Sequence, residues 1–205
     1  MSRALVTGAT RGAGRAVAAA LAHAGYETCA LGRDRLVLDE LRSDFGVLPM
    51  AIDLTDRDAV RMIIEGMRPD IVVHAALRWP AEMAFEKLTE ADIDMALEVN
   101  LSATLHLTRV VLPVMKQRRQ GAFFVISPGS GEGGPLIERT VTGASQTFAR
   151  ALQDEVAGEG VVVEHFFAGE PPFTSVVASI HNKLKTDRLM PVGHTQNHRG
   201  THNAT

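Results

Sequence analysis

At 205 residues, 45% of them hydrophobic, the chain is long enough to bury one large α/β core with a sheet covered on both faces. A formal charge of -3 and a pI near 6.2 argue against a nucleic-acid or anionic-membrane surface, since both need clustered Lys and Arg. No segment reaches the roughly 20 apolar residues of a bilayer span, Met1-Ser2-Arg3 leads into a strand rather than a cleavable leader, and the single cysteine, Cys29, lies in an apolar run, so a cytoplasmic protein with no disulfide framework is expected.

Arg3–Thr7 is a short apolar run, Gly12–Ala24 an Ala-rich amphipathic stretch, and Thr28–Leu31 the next apolar run after a stop at Gly25-Tyr26, which together predict one βαβ unit. A helix over Asp34–Phe45, a strand over Val47–Ile52, a helix over Asp56–Met67 capped by Thr55, and a strand over Asp70–His74 buried on both faces continue the alternation. A long helix is predicted from about Glu90 to Gln117, with Pro113 kinking or closing it. Gly121–Ser127 is the fifth strand, Thr142–Ala157 the next helix, Val161–Phe167 the sixth strand, and Thr174–Leu184 a short helix. Strands separated by helices imply right-handed crossovers. The predicted fold is a doubly wound, Rossmann-type three-layer sandwich with a mostly parallel sheet, its ligand at the carboxyl ends of the strands. Residues 1–185 form the expected domain and 186–205 a polar tail, in which His194, His198 and His202 recur every four residues among Gly and Asn that oppose a metal-binding helix.

The densest signal is Thr7-Gly8-Ala9-Thr10-Arg11-Gly12-Ala13-Gly14, directly after the first strand. Gly8 permits the tight turn, Gly12 lets the backbone approach phosphates, and Gly14 lets the helix pack closely, which places a dinucleotide pyrophosphate on the helix N-terminus.

The spacing TGxxxGxG resembles the short-chain dehydrogenase/reductase family, over residues 1 to about 175. Asp53-Leu54 after the third strand, Asn100-Leu101-Ser102-Ala103-Thr104 in the long helix, and Ala168-Gly169 with Thr174 after the sixth strand are similar landmarks. The resemblance implies a nicotinamide cofactor with Asp53 at adenine, and Asn100 among the active-site residues. His74-Ala75-Ala76-Leu77 replaces the family's Asn-Asn-Ala-Gly, keeping small residues beside the cofactor; His74 is either in reach of nicotinamide or a strand-end histidine satisfied by backbone.

Charge speaks to the choice of cofactor. A carboxylate at the end of the second strand suits the ribose hydroxyls of NAD, whereas a 2′-phosphate wants cations. This chain has Gly32-Arg33 there and Arg11 in the glycine loop, so NADP is favoured over NAD; the alternative leaves Arg33 solvated and gives the ribose to Asp34, which also reads as a helix cap.

Catalysis departs from the pattern. The family's Ser-Tyr-Lys constellation uses tyrosine as general acid/base, but the only tyrosine is Tyr26, and the YxxxK alignment places Glu138 and Thr142 at the Tyr and Lys positions. Ile126-Ser127-Pro128-Gly129-Ser130 resembles the serine segment, with Pro128 in the usual slot and Ser127 and Ser130 flanking it. The candidate catalytic residues are therefore Asn100, Ser127, Ser130 and Glu138. Three functions stay open: an NADP-dependent oxidoreductase of a carbonyl or alcohol with a remodelled proton relay, an inactive NADP-binding sensor or partner subunit, and a non-redox enzyme. Leu97, Leu101, Leu105, Val111 and Leu112 exceed one core stripe, and the resemblance implies a homodimer or homotetramer through this helix and Thr142–Ala157. The family's seventh strand has no counterpart before the tail, and Trp79, Pro80, Met83 and Phe85 suggest an apolar lid or wall.

Overall fold

Six short runs rich in Val, Ile, Leu, Ala and Phe become strands: β1 (Arg3–Thr7), β2 (Glu27–Gly32), β3 (Leu48–Ala51), β4 (Ile71–His74), β5 (Gly121–Ser127) and β6 (Val161–Phe167). The computed structural model describes residues 2–129 and 133–191. All five strand pairs are parallel, in the order β3-β2-β1-β4-β5-β6. The winding reverses between β1 and β4, which opens a crevice at the carboxyl ends of those two strands.

Helices cover both faces. Here α1 is Gly12–His23, α2 Arg35–Phe45, α3 Arg57–Met67, α4 Glu90–Leu97, α5 Ala103–Arg118, α6 Leu136–Glu155 and α7 Thr174–Thr186. Val17, Leu21, Leu38, Leu41, Val176 and Ile180 of α1, α2 and α7 bury one face with Val6, Val73 and Phe124. Val60, Ile64, Leu107, Val111, Ala149 and Leu152 of α3, α5 and α6 bury the other with Leu5, Val72 and Phe123. The predicted three-layer α/β architecture is the one observed, and Cys29 lies within it, its thiol pushed up to about 12 by burial.

Local differences have identifiable causes. Asp56 rather than Thr55 caps α3, its carboxylate accepting from Ala59 N at 3.1 Å, because Thr55 is held in a turn by Asp53. Helix α6 begins at Leu136, six residues before the predicted Thr142: Gly133-Gly134 adopt positive φ, Pro135 supplies a fixed φ at the entry, and Ile137 and Val141 already bury against Ala96. The predicted long helix is α4 joined to α5 by a π turn at Glu98–Ser102, and it runs through Pro113 to Arg118 instead of stopping there.

Candidate functional site

The first turn after β1 and the start of α1 form the floor of a cleft of about 770 Å³ at the carboxyl ends of β1, β2, β4 and β5. Gly8 has φ +67°, and a Cβ there would lie 2.5 Å from the Ala75 carbonyl oxygen, so the turn and the segment after β4 meet only because Gly8 has no side chain. A Cβ on Gly14 would sit 2.3 Å from the Gly8 oxygen, so α1 packs directly beneath the same turn. No side chain caps α1 and its first turn holds no acidic residue, so the positive end of its dipole faces the cleft uncompensated. Backbone donors, a helix N-terminus and space above them fit a dinucleotide pyrophosphate.

Gly8, Thr10, Arg11, Gly12, Ala13, Arg33, Asp53, Leu54, Ala75 and Ala76 of the predicted cofactor set all line this cleft. Thr7, Gly14 and His74 do not. Thr7 and His74 are buried and bonded to each other, Thr7 Oγ1 to His74 Nδ1 at 2.9 Å, in place of the backbone partner expected for His74. Desolvation lowers the His74 pKa to about 4 and keeps the ring neutral, while its Nε2 finds no partner.

The ribose end of the cleft carries Arg33 and Asp53 as an ion pair at 3.7 Å, with Arg11 and Arg78 also lining the wall. Asp53 is held below the usual carboxylate range, first by the Thr55 N–H, then by the Thr55 hydroxyl and the Arg33 and Arg78 charges, against its desolvation. Asp34 caps α2, its Oδ1 accepting from Val37 N at 3.3 Å, and it also lines the cleft beside Arg33. Arg78 escaped notice in the sequence. Its backbone is clamped by Asn100, whose Oδ1 accepts from Arg78 N at 2.7 Å and whose Nδ2 donates to Arg78 O at 2.8 Å. The π turn places Asn100 there, with Nδ2 also donating to Ala96 O at 2.8 Å.

Beyond Trp79 the site divides. Asn100, Ser127, His74, Thr142 and Ser145 pack around a niche with no room for a water molecule, which shares Leu77, Trp79 and Ile126 with the cleft. Glu138 lies elsewhere. It lines a separate pocket of about 170 Å³ with Trp79, Pro80, Met83 and Phe85, where burial and the Glu82 carboxylate raise its pKa. Trp79, Pro80, Met83 and Phe85 thus do form an apolar wall against the start of α6. Ser130 and the tail histidines lie outside the described residues. Tyr26 is structural: it sits at the opposite end of the strands, donates to Leu189 O at 3.0 Å, and is pushed up to about 12 by burial. His165, unremarked in the sequence, lies 2.8 Å through Nε2 from Ser127 Oγ. The available signal was a histidine in phase with Val161 and Val163 on the covered face of β6.

A model of the family described as short chain dehydrogenase matches residues 2–185. The chain belongs to the short-chain dehydrogenase/reductase family. It is 39% identical over 170 residues to an uncharacterized short-chain type dehydrogenase/reductase of Sinorhizobium fredii, covering 81% of this chain and 68% of that protein. It is 30% identical over 188 residues to the NADP-dependent 3-hydroxy acid dehydrogenase YdfG of Salmonella typhi, covering 84% and 75%. An oxidoreductase of Botryotinia fuckeliana, BOA17, is 29% identical, and the chain spans 61% of its length. The fold matches serine dehydrogenase from Escherichia coli with a TM-score of 0.79 at 23% identity, over 87% of this chain and 88% of that one. A metagenomic short-chain oxidoreductase in complex with NADP matches with a TM-score of 0.74 at 24% identity, over 87% and 90%. Among the described residues no helix is long and apolar enough to cross a membrane.

Proposed function

We propose that this short-chain dehydrogenase/reductase is a cytoplasmic oxidoreductase that binds NADP(H) in the cleft and interconverts a carbonyl and an alcohol without a tyrosine–lysine pair. One observation carries the cofactor reading: an uncapped helix N-terminus opens beneath a wall bearing Arg11, Arg33 and Arg78. Arginines suit a 2′-phosphate because the guanidinium is always charged and binds it by paired, charge-assisted hydrogen bonds. The NADP-dependent relative and the NADP-bound structural neighbour support that choice. When bound, the nicotinamide exchanges a hydride with the substrate carbon. This chain's part is to hold the pyrophosphate on Gly12 and Ala13, the 2′-phosphate on Arg11 and Arg33, adenine beside Asp53 and Leu54, and the nicotinamide near Ala75 and Ala76.

The geometry supports moving the family's tyrosine position one helical turn along α6 from Glu138. Thr142 packs in the same niche as Asn100 and Ser127, so Thr142 and Gln146 take the YxxxK spacing, and neither residue is a tyrosine or a lysine. That absence favours a second reading, a catalytically inactive NADP(H)-binding subunit. Leu97 and Leu105, 36% and 42% exposed on the outer side of α4 and α5, support assembly through these helices as a homodimer, homotetramer or with another chain.

Titration with NADPH followed by addition of 2,3-butanedione tests both readings. Binding with loss of the nicotinamide absorbance is the expected result. Binding without absorbance loss favours the inactive subunit, and no binding overturns both.

A further inference from the structure

The segment that joins β4 to α4 and the first turn of α6 enclose a second cavity, walled off from the cleft by Trp79. Its floor is fixed: Trp79, Leu88 and Ile137 pack with the buried Ala96 of α4 and Val141 of α6. Its rim is left uncovered. Met83, Phe85 and Leu136 line it, and they are three of the nine large apolar side chains that stand exposed among the described residues. Apolar side chains scattered singly over a surface need no explanation, whereas three around one concavity indicate a surface that a ligand covers.

Two carboxylates line the same cavity, Glu82 from the joining segment and Glu138 from α6, and its described lining contains no Lys, Arg or His. Gly133-Gly134 lead into α6 at positive φ, and a Cβ on Gly134 would lie 3.4 Å from Glu138 Oε1, so this carboxylate rests against the glycine turn. Burial, and then the Glu82 charge, hold the Glu138 carboxyl above the usual carboxylate range. A bound cation relieves both effects. A hard divalent ion is a poor match, since it takes about six or more oxygens and this lining offers two carboxylates among apolar side chains. An ammonium on a short hydrocarbon chain matches both halves of the cavity: the carboxylates pair with the charge, the apolar floor takes the chain, and the faces of Trp79 and Phe85 attract a cation as well. The volume of about 170 Å³, at roughly 30 Å³ per water-sized group, has room for about five or six heavy atoms.

We propose that this cavity is a binding site for a small aliphatic ammonium ligand, its charged head between Glu82 and Glu138 and its chain against Trp79, Phe85 and Leu88. The site stands whether or not the neighbouring cleft takes NADP(H), because Trp79 is the one described residue common to the two linings. Trp79 is also the single tryptophan of the chain, so its fluorescence reports on the cavity without any measurement of turnover.

The test titrates Trp79 emission of the full chain, free of nucleotide, with n-butylammonium chloride at an ionic strength held constant with NaCl, and then with 1-butanol and with MgCl2. Butylammonium gives a saturable change, and 1-butanol and Mg²⁺ bind at least about tenfold more weakly. Glu138→Gln, which keeps the shape and removes the charge, raises the butylammonium Kd by about tenfold or more, and Glu82→Gln raises it several-fold. Glu86→Gln, on the exposed turn beside the cavity but outside its lining, leaves it unchanged. Circular dichroism confirms that the variants are folded, and Glu82→Gln, on the joining segment, decides the question if Glu138→Gln is not. Equal affinities for butylammonium and 1-butanol overturn recognition of the charge, and tighter binding of Mg²⁺ overturns an organic cation as the ligand. Loss of the same size in Glu86→Gln, or no saturable change in the wild-type protein, overturns the site itself.

Discussion

Arg33 Nη1 lies 3.7 Å from Asp53 Oδ2, an ion pair linking the carboxyl end of β2 to the segment after β3, with the side chains 58% and 44% exposed. At such exposure the pair adds little to stability, and its importance is electrostatic: the cation proposed for a 2′-phosphate stands beside an anion that opposes it. Asp53→Asn removes that repulsion and frees Arg33. The expected outcome is a several-fold rise in the ratio of NADPH to NADH affinity, about 1 kcal/mol or less, read from the Kd of each nucleotide at low and high salt. A ratio that stays constant assigns the 2′-phosphate to another part of the wall.

His74 makes stability depend on pH. The ring is buried and neutral, its pKa lowered from 6.5 to about 4 by desolvation. Because the unfolded chain binds the proton more readily, the contribution is complete above the unfolded value of about 6.5 and is lost as pH falls toward 4, up to about 3 kcal/mol. Urea unfolding at pH 7 and pH 5 measures it. His74→Gln flattens this slope, and Thr7→Val, which orphans Nδ1 as well, costs about 1–3 kcal/mol.

Asn100 holds the segment after β4 to the π turn with three hydrogen bonds of 2.7–2.8 Å. Asn100→Ala leaves the Arg78 backbone groups and the Ala96 carbonyl without this partner, which costs about 2–4 kcal/mol. Arg78 then no longer has a fixed backbone, so NADPH affinity falls as well. Asn100→Asp keeps the acceptor but sets a buried carboxylate oxygen against the Arg78 and Ala96 carbonyls, and its Tm falls at least as far as that of Asn100→Ala.

The strands were legible because parallel strands buried on both faces read as unbroken apolar runs: Ile71-Val72-Val73 and Ala122–Ile126 admit no other placement in an alternating chain. The glycine loop was legible because its glycines sit where only glycine fits. Helix starts were harder. Residues Glu138, Arg139 and Thr140 look like a loop by polarity, yet they are the outer side of a turn whose inner side is Ile137 and Val141. That one-turn ambiguity is also what attached Glu138 to the active helix position now proposed for Thr142. Contacts between distant segments carry no local signature. Arg78 with Asn100 and Ser127 with His165 are joined only by the crossovers that bring β4, α4, β5 and β6 together.

Gly8 gives the most severe prediction for a single methyl group. With φ at +67° and the Ala75 oxygen 2.5 Å from an added Cβ, Gly8→Ala must displace either the glycine turn or the segment after β4. Nucleotide affinity falls at least tenfold and Tm drops, since β1 and β4 lie side by side in the centre of the sheet. Gly46→Ala has open space around its Cβ and serves as the control at a similar positive φ of +71°. It costs only the backbone strain of about 1 kcal/mol, with nucleotide binding retained.

Calorimetric titration of NADPH and NADH into the wild-type protein, Arg11→Ala and Arg33→Ala measures whether the cleft is a 2′-phosphate site. NADPH is expected to bind more tightly than NADH, and each substitution to remove about tenfold of that preference while leaving NADH affinity nearly unchanged. Absence of binding by either nucleotide, or equal affinities that the arginine substitutions do not alter, would contradict that assignment.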